Sequence, residues 1–413
     1  MNPEIIVIGG GAAGFFAAIA CAESNPHARV TILEAGSHPL SKVKISGGGR
    51  CNVTHHCFEP AQLIQNYPRG SKALRGAFSR FQPADTVKWY ESRGVKLKVE
   101  ADGRMFPVTN KSSTIIDCLQ TAADRAGVIL KTSSPVQEVT RLENQQFTVK
   151  LKKGNNLSCD RLLIATGSNP LGYRWAKRLG HTIETPVPSL FTFKINDPRL
   201  KELAGVSTKK AEVALMDSGK AKLKQPGLQQ TGALLVTHWG LSAPAILKLS
   251  AWGARTLADY KYQMTLKVNW LPEYNQTNLK EYLLQIKTEH PKKKIVTFCP
   301  VALPKRLWQS FVNYVEIKPD KIWAEISKKE LNKLVLELLE GRYQIRGKGV
   351  FKDEFVTCGG VKLAEVNFKN MSSKICSNLY FAGEVLDIDG VTGGFNFQSA
   401  WTTGWLAGKA MAK

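Results

Sequence analysis

The run EIIVIGGGAAGFFAAIA at residues 4–20 constrains this chain more than any other stretch of its 413 residues. An apolar strand leads into Gly9, Gly11 and Gly14 in G-x-G-x-x-G spacing, with Ala18 four residues on. An apolar helix follows, and then a second strand, RVTILEA. Gly9 permits the tight turn, Gly11 lets backbone approach a pyrophosphate, and Gly14 lets the helix pack closely on the strand. Ala12 and Ala13 open that helix, whose free N–H groups and positive dipole end attract phosphate. Glu34, beside Ala35 and twenty residues after Gly14, is placed to accept hydrogen bonds from ribose hydroxyls. Its carboxylate would repel a 2′-phosphate, so the unit predicts FAD or NAD rather than NADP. The same stretch has no basic leader, carries Glu4 and is broken by glycines, which argues against a signal peptide. No run offers the ~20 apolar residues of a membrane helix, and a cytoplasmic protein is expected.

Two further strand–glycine junctions point the same way. RLLIATG ends in Ala165, Thr166 and Gly167, and NLYFAGE ends in Gly383 and Glu384. Gly393 and Gly394 then precede a final helix at about 396–411, with Phe395, Asn396 and Gln398 near its start. Helical patterns occupy 72–93 and 112–126, where Ser112 or Ser113 is the expected cap. Strands follow near 128–132, 136–141 (opening with Val136) and 146–152. From about 189 the segments LFTFKI, AEVALMD, TGALLVTHW and QMTLKVNW alternate like strands of a small sheet or barrel. Helical patterns return at 277–289, 303–315 and 327–340. The fold class is therefore α/β, with a discontinuous Rossmann-type nucleotide-binding domain at 1–188 and 350–413. The insertion at 189–349 has barrel-like strands at about 189–270 and 342–349 and a helical part at about 275–341.

SGGGRCNVT (46–54), DGRMFPVTNKSS (102–113), TGALLVTHWGLSAPAILKLS (231–250), VTCGGV (356–361) and LYFAGEVLDIDGVTGGFNFQSAW (379–401) span most of the chain. In these stretches it resembles the bacterial FAD-dependent oxidoreductase family that includes aminoacetone oxidase and bile-acid 3-dehydro-Δ4,6-reductase. The resemblance implies an FAD domain of the glutathione-reductase type with an inserted small barrel and helical subdomain. Ala243 departs from the glycine that family more often shows before the proline, and Thr54-His55 departs from its usual Thr-Asn.

Within that frame the loop KISGGGRCNVTHHC (44–57) reads as a flavin cradle. Lys44, Ser46, Gly47, Gly48, Gly49, Arg50, Cys51 and Asn52 follow the Glu34 strand. Backbone N–H groups of 47–50 would reach pyrophosphate or flavin edge, Arg50 would add positive charge, and Asn52 would bond the ring or fix the loop. The rival reading is a redox disulfide of Cys51 and Cys57. Disulfide reductases of this broad fold space the pair by four residues, whereas five intervene here. Cys51, His55, His56 and Cys57 lack the paired spacing of structural zinc sites, so no metal is expected. Eight cysteines in so long a chain make no disulfide framework. His238, read as preceding a helix near Ser242, is a weak candidate for acid–base chemistry against a merely structural role. Trp239 and Trp401 are pocket or core.

The net charge of +23 is unusual, and residues 191–350 alone carry 27 basic against 14 acidic side chains. Such a field admits an anionic partner, nucleic acid included, although a solvated lysine-rich surface is the plainer reading. The expected activity is FAD-dependent oxidoreduction of a small organic substrate by hydride transfer at flavin N5. NAD(P)H would be a transient reductant, because no second glycine fingerprint is present. An amine-type oxidase, an RNA-binding or tRNA-modifying flavoprotein, and a disulfide reductase are the alternatives. Subunit number is not legible.

Overall fold

The computed structural model describes residues 2–154, 156–216, 227–349 and 356–413. They fall into two compact units, one drawn from Met1–Val187 with Val356–Lys413, the other from Pro188–Phe355. The expected boundary at Val350 and the last residue of AEVALMD, Asp217, lie outside the described residues.

In the first unit, Glu4–Ile8, Arg29–Leu33 and Arg161–Ile164 bury every residue after their first. Such near-continuous apolar runs suit parallel strands covered on both faces. The sheet runs Leu379–Phe381, Arg161–Ile164, Glu4–Ile8, Arg29–Leu33, Ile129–Lys131, all parallel. Val366–Asn367 and Ser372–Ser373 extend its first edge in antiparallel fashion. Because the long strands share a direction, their carboxyl ends, and the loops after Ile8, Leu33, Ile164 and Phe381, lie along one edge. Open α/β sheets bind ligands at that edge.

The helix Ala12–Ser24 buries Ala13 to Ala22 without a break. Besides the sheet, it packs against the C-terminal helix Phe395–Met411, where glycines let the two backbones touch. A Cβ at Gly408 would lie 2.2 Å from the Ala17 carbonyl oxygen, and one at Gly404 would lie 2.6 Å from that of Ala13. Two sequence expectations need correction here. The 72–93 segment is two helices, Ser71–Phe78 and Pro83–Glu91, because Pro83 cannot continue a helix but suits a first turn. Neither Ser112 nor Ser113 caps the helix Ser112–Arg125. Ser112 Oγ instead donates to the Lys44 carbonyl at 2.8 Å, tying that helix to the glycine loop.

The second unit holds a closed barrel of Phe193–Ile195, Gly240–Ser242, Gln229–Thr237, Ser207–Met216, Thr265–Asn269 and Gly341–Lys348. Helices Gln276–Glu289, Lys305–Tyr314 and Lys328–Glu340 complete its core around Trp270, Trp308, Trp323 and Tyr343. Arg199 is buried in that core. It donates to Asp197 at 2.7 Å and Glu337 at 2.8 Å and lies over the Tyr343 ring. No helix among the described residues is long and apolar enough to cross a membrane.

Candidate functional site

The site is built from loops at the carboxyl edge of the parallel sheet. Gly9 has φ +114°, and a Cβ there would lie 2.4 Å from the Ala165 carbonyl oxygen. A Cβ on Gly14 would lie 1.9 Å from the Gly9 carbonyl oxygen, which is the close helix–strand approach the spacing predicts. Around Gly11, by contrast, no atom lies within 4 Å of a built Cβ. No side chain caps the helix it starts, so the amides around Ala12 and Ala13 keep their capacity for an anion.

Glu34 closes the loop from the other side. Its carboxylate accepts from Gly10 N at 2.8 Å and Gly36 N at 2.7 Å, which fixes its orientation and leaves further lone pairs. Ala35 beside it is exposed. Ser133 N and Ser134 N donate to the carbonyls of Gly36 and Glu34, so the chain reaching buried Val136 runs along the same loop.

The glycine loop is less flexible than its composition implies. Gly47, Gly48, Gly49 and Cys51 all have positive φ, between +57° and +81°. Gly48 and Gly49 face open space on the Cβ side. Cys51 N donates to the Ser46 carbonyl, and Ser46 Oγ to that of Val43. Lys44 is exposed, its carbonyl holding Ser112. Arg50 pairs with Glu100 at 2.6 Å and covers the Phe106 ring, so its charge is already matched within the protein. With the Asn52 amide oriented to suit its neighbours, Nδ2 donates to Thr54 O and Oδ1 accepts from Gly394 N at 2.9 Å. Asn52 therefore fixes the loop against the start of the C-terminal helix.

The third junction meets the first two. A Cβ on Gly383 would lie 2.8 Å from that of Ala13, and one on Gly167 would lie 3.7 Å from Glu384 Oε2. Glu384 accepts from Thr357 N at 2.9 Å and from Lys42 Nζ at 2.6 Å, and Lys42 also reaches Ser168 Oγ. The lysine was not singled out in the sequence, because no spacing rule links residues so far apart. Nearby Thr166 Oγ1 and Tyr173 OH are buried and have no hydrogen-bond partner among the described residues.

Gly393 and Gly394 have φ +135° and +93°, and no side chain caps the helix they precede. Phe395 stacks on His55 at 4.7 Å, and its carbonyl accepts from Tyr67 OH. Asn396 exchanges two hydrogen bonds with Gly390. Gln398 is fully buried, accepting from Thr54 and Thr86. Trp401 is core, its Nε1 donating to Val53 O, whereas Trp239 is 47% exposed.

His238 belongs to the second unit, exposed at the tip of the hairpin between Gln229–Thr237 and Gly240–Ser242. The helix starts only at Pro244, and Ser242 bonds Thr192, so the expected His–helix arrangement is corrected. All eight cysteines are free. Cys51 is wholly buried, which pushes its thiol up to about 12, and burial also raises that of Cys57.

An uncapped fingerprint helix, an oriented carboxylate at Glu34, an open left-handed glycine turn and two orphaned buried hydroxyls fit a dinucleotide such as FAD. The sequence profile of the HI0933-like protein Rossmann domain matches residues 3–410. A ribosomal RNA dihydrouridine synthase of Haemophilus influenzae is 30% identical, covering 99% of this chain and 98% of its own length. One of Escherichia coli is 29% identical, covering 97% and 96%. The 3-dehydro-bile acid Δ(4,6)-reductase of Clostridium scindens is 28% identical over 99% of each. A 3-ketosteroid-Δ4-(5α)-dehydrogenase structure from Rhodococcus jostii shares the fold, with TM-score 0.52 and 15% identity over 100% and 97% of the two chains. The chain belongs to the HI0933-like Rossmann family.

Proposed function

We propose that this protein is an FAD-dependent reductase that saturates a carbon–carbon double bond conjugated to a carbonyl, and that its substrate is a uridine of ribosomal RNA. The observation that carries the reading is full-length similarity to three relatives whose names share one chemistry. Making dihydrouridine saturates a ring bond conjugated to a carbonyl, and a Δ(4,6)-reductase of a 3-dehydro steroid does the same. The net charge of +23 favours the polyanionic substrate over the steroid.

Bound FAD would supply the electron pair, delivered as hydride from reduced N5 to the β-carbon while the α-carbon takes a proton. The balance is one NAD(P)H and one proton consumed per double bond saturated. The chain's own part is holding and orienting. The amides after Gly11 take the pyrophosphate, Glu34 the ribose hydroxyls, and Gly47 to Gly49 admit the cofactor backbone-close. Thr166 and Tyr173 offer hydroxyls with unused hydrogen-bonding capacity. The open start of the Phe395–Met411 helix would stabilise negative charge at the pyrimidine edge. This reading takes the first unit as an FAD domain of the glutathione-reductase type and the second as its insertion.

A small conjugated enone is the second reading, favoured by the similarity to the bile-acid reductase. A Cys51–Cys57 redox couple is disfavoured, since a thiol raised to about 12 offers little thiolate at neutral pH. The test is anaerobic incubation of FAD-loaded protein with NADPH or NADH and an unmodified ribosomal RNA transcript, then nucleoside mass spectrometry. Dihydrouridine that needs both reductant and protein is the expected result. NAD(P)H oxidation driven by a steroid enone, with no dihydrouridine, transfers the assignment to the second reading.

A further inference from the structure

The inserted barrel carries a basic outer face that the flavin chemistry does not use. In Gly341–Lys348, Tyr343 and Ile345 point inward and are buried, while Arg342, Gln344 and Arg346 alternate with them and are exposed. The neighbouring strand Phe193–Ile195 buries Phe193 and Ile195 and exposes Lys194. On the other side, Thr265–Asn269 buries Leu266 and Val268 and turns Thr265 and Lys267 outward. Lys267 lies directly opposite Arg342. Lys194 lies beside Gly347, next to Arg346. Two pairs of cations thus stand about 13 Å apart along one strand, with only neutral Gln344 and Thr265 between them.

Like charges opposite each other across a ladder destabilise a sheet unless something anionic lies over them. Glu340 shares Lys267 at 3.6 Å. Among the described residues no carboxylate pairs with Arg342, Arg346 or Lys194. The contrast with Arg199 beneath is direct. That arginine is neutralised by Asp197 and Glu337, and it also donates to the Arg342 carbonyl, holding the strand from inside. The platform is therefore fixed, and among the described residues the charges of Lys194, Arg342 and Arg346 on its outer side have no carboxylate partner.

We propose that this face of the barrel, bearing Lys194, Lys267, Arg342 and Arg346, docks the phosphodiester backbone of the RNA substrate. The proposal rests on the RNA reading above. Its recognition is electrostatic, with planar guanidinium groups suited to phosphate oxygens and no base readout required.

The test measures binding of a labelled, unmodified ribosomal RNA transcript to the full-length holoprotein as a function of salt. The variant K194Q/R342Q/R346Q is compared with K292Q/K328Q/K329Q, which removes the same charge from exposed lysines of the helical part. Losing three phosphate contacts lowers the slope of log K against log salt by about 2, and affinity near 0.1 M salt by about a hundredfold. The control keeps the wild-type slope. Flavin absorbance and melting temperature report folding, and R342Q and R346Q made singly should each lower the slope by about 0.7. If wild type binds but the face variant matches it, or the control falls equally, the docking face is wrong and the RNA reading stands. If wild type binds no RNA at low salt, the RNA reading itself falls, and the face with it.

Discussion

At Gly14 the demand for glycine is steric, since any Cβ would press within 1.9 Å of the Gly9 carbonyl oxygen. Gly14→Ala must push helix from strand just where the proposed cofactor's pyrophosphate would sit. Overpacking of this kind costs about 1–3 kcal/mol, so FAD affinity should fall about tenfold to a hundredfold, read by flavin fluorescence titration. Ala243 is the opposite case. It sits at φ +81° and ψ 176°, a region open to glycine and costly for any residue with a Cβ. Ala243→Gly should therefore stabilise the protein by about 1 kcal/mol, seen as a raised urea midpoint. His181 makes a pH prediction. Its ring is buried, Nδ1 lying 3.2 Å from Ala176 O and Nε2 2.8 Å from Ser373 Oγ. Burial holds its pKa below the usual 6.5. The unfolded chain then binds the extra proton first, so this stabilisation is present at neutral pH and lost as pH falls below about 6.5. Wild type should lose more stability between pH 7.5 and 5.5 than His181→Gln does. Positions where local sterics demand glycine, such as Gly9 and Gly14, were legible in the sequence. Lys42 with Glu384, and Arg50 with Glu100, were not, because their partners are chosen by the fold.

Among the elements, those with a strong period were readable. The buried parallel strands and the alternating barrel strands came from apolar pattern, and the three helices of the insertion fall within two residues of their expected starts. The failures were local competitions. Pro83 split an amphipathic pattern that continues across it, and Ser112 spent its hydroxyl on Lys44 O instead of on its own helix. His238 was misplaced because a two-residue hairpin turn and a short strand precede Pro244. The buried Arg199 network joins elements that sequence alone cannot pair. Arg199→Met strips buried Glu337 and half-buried Asp197 of their shared cation, a loss of about 3 kcal/mol measurable by denaturant unfolding. Adding Glu337→Leu to that variant should recover part of it.

For the whole molecule, the chain makes its first unit from both ends, so the Gly383–Glu384 and Gly393–Gly394 junctions return to the edge begun by Gly9. That convergence was legible because three strand–glycine junctions each implied the same cofactor. The substrate was not, because the fold constrains the cofactor's seat and says little about what the electrons reach. The RNA substrate is a proposal, supported by charge and by similarity to the relatives. The account is tested most directly by one anaerobic absorption experiment on purified protein. It predicts oxidised-flavin bands that bleach with NADPH or NADH and return when unmodified ribosomal RNA is added. Protein that shows no flavin bands, even after FAD is supplied, would contradict the central claim.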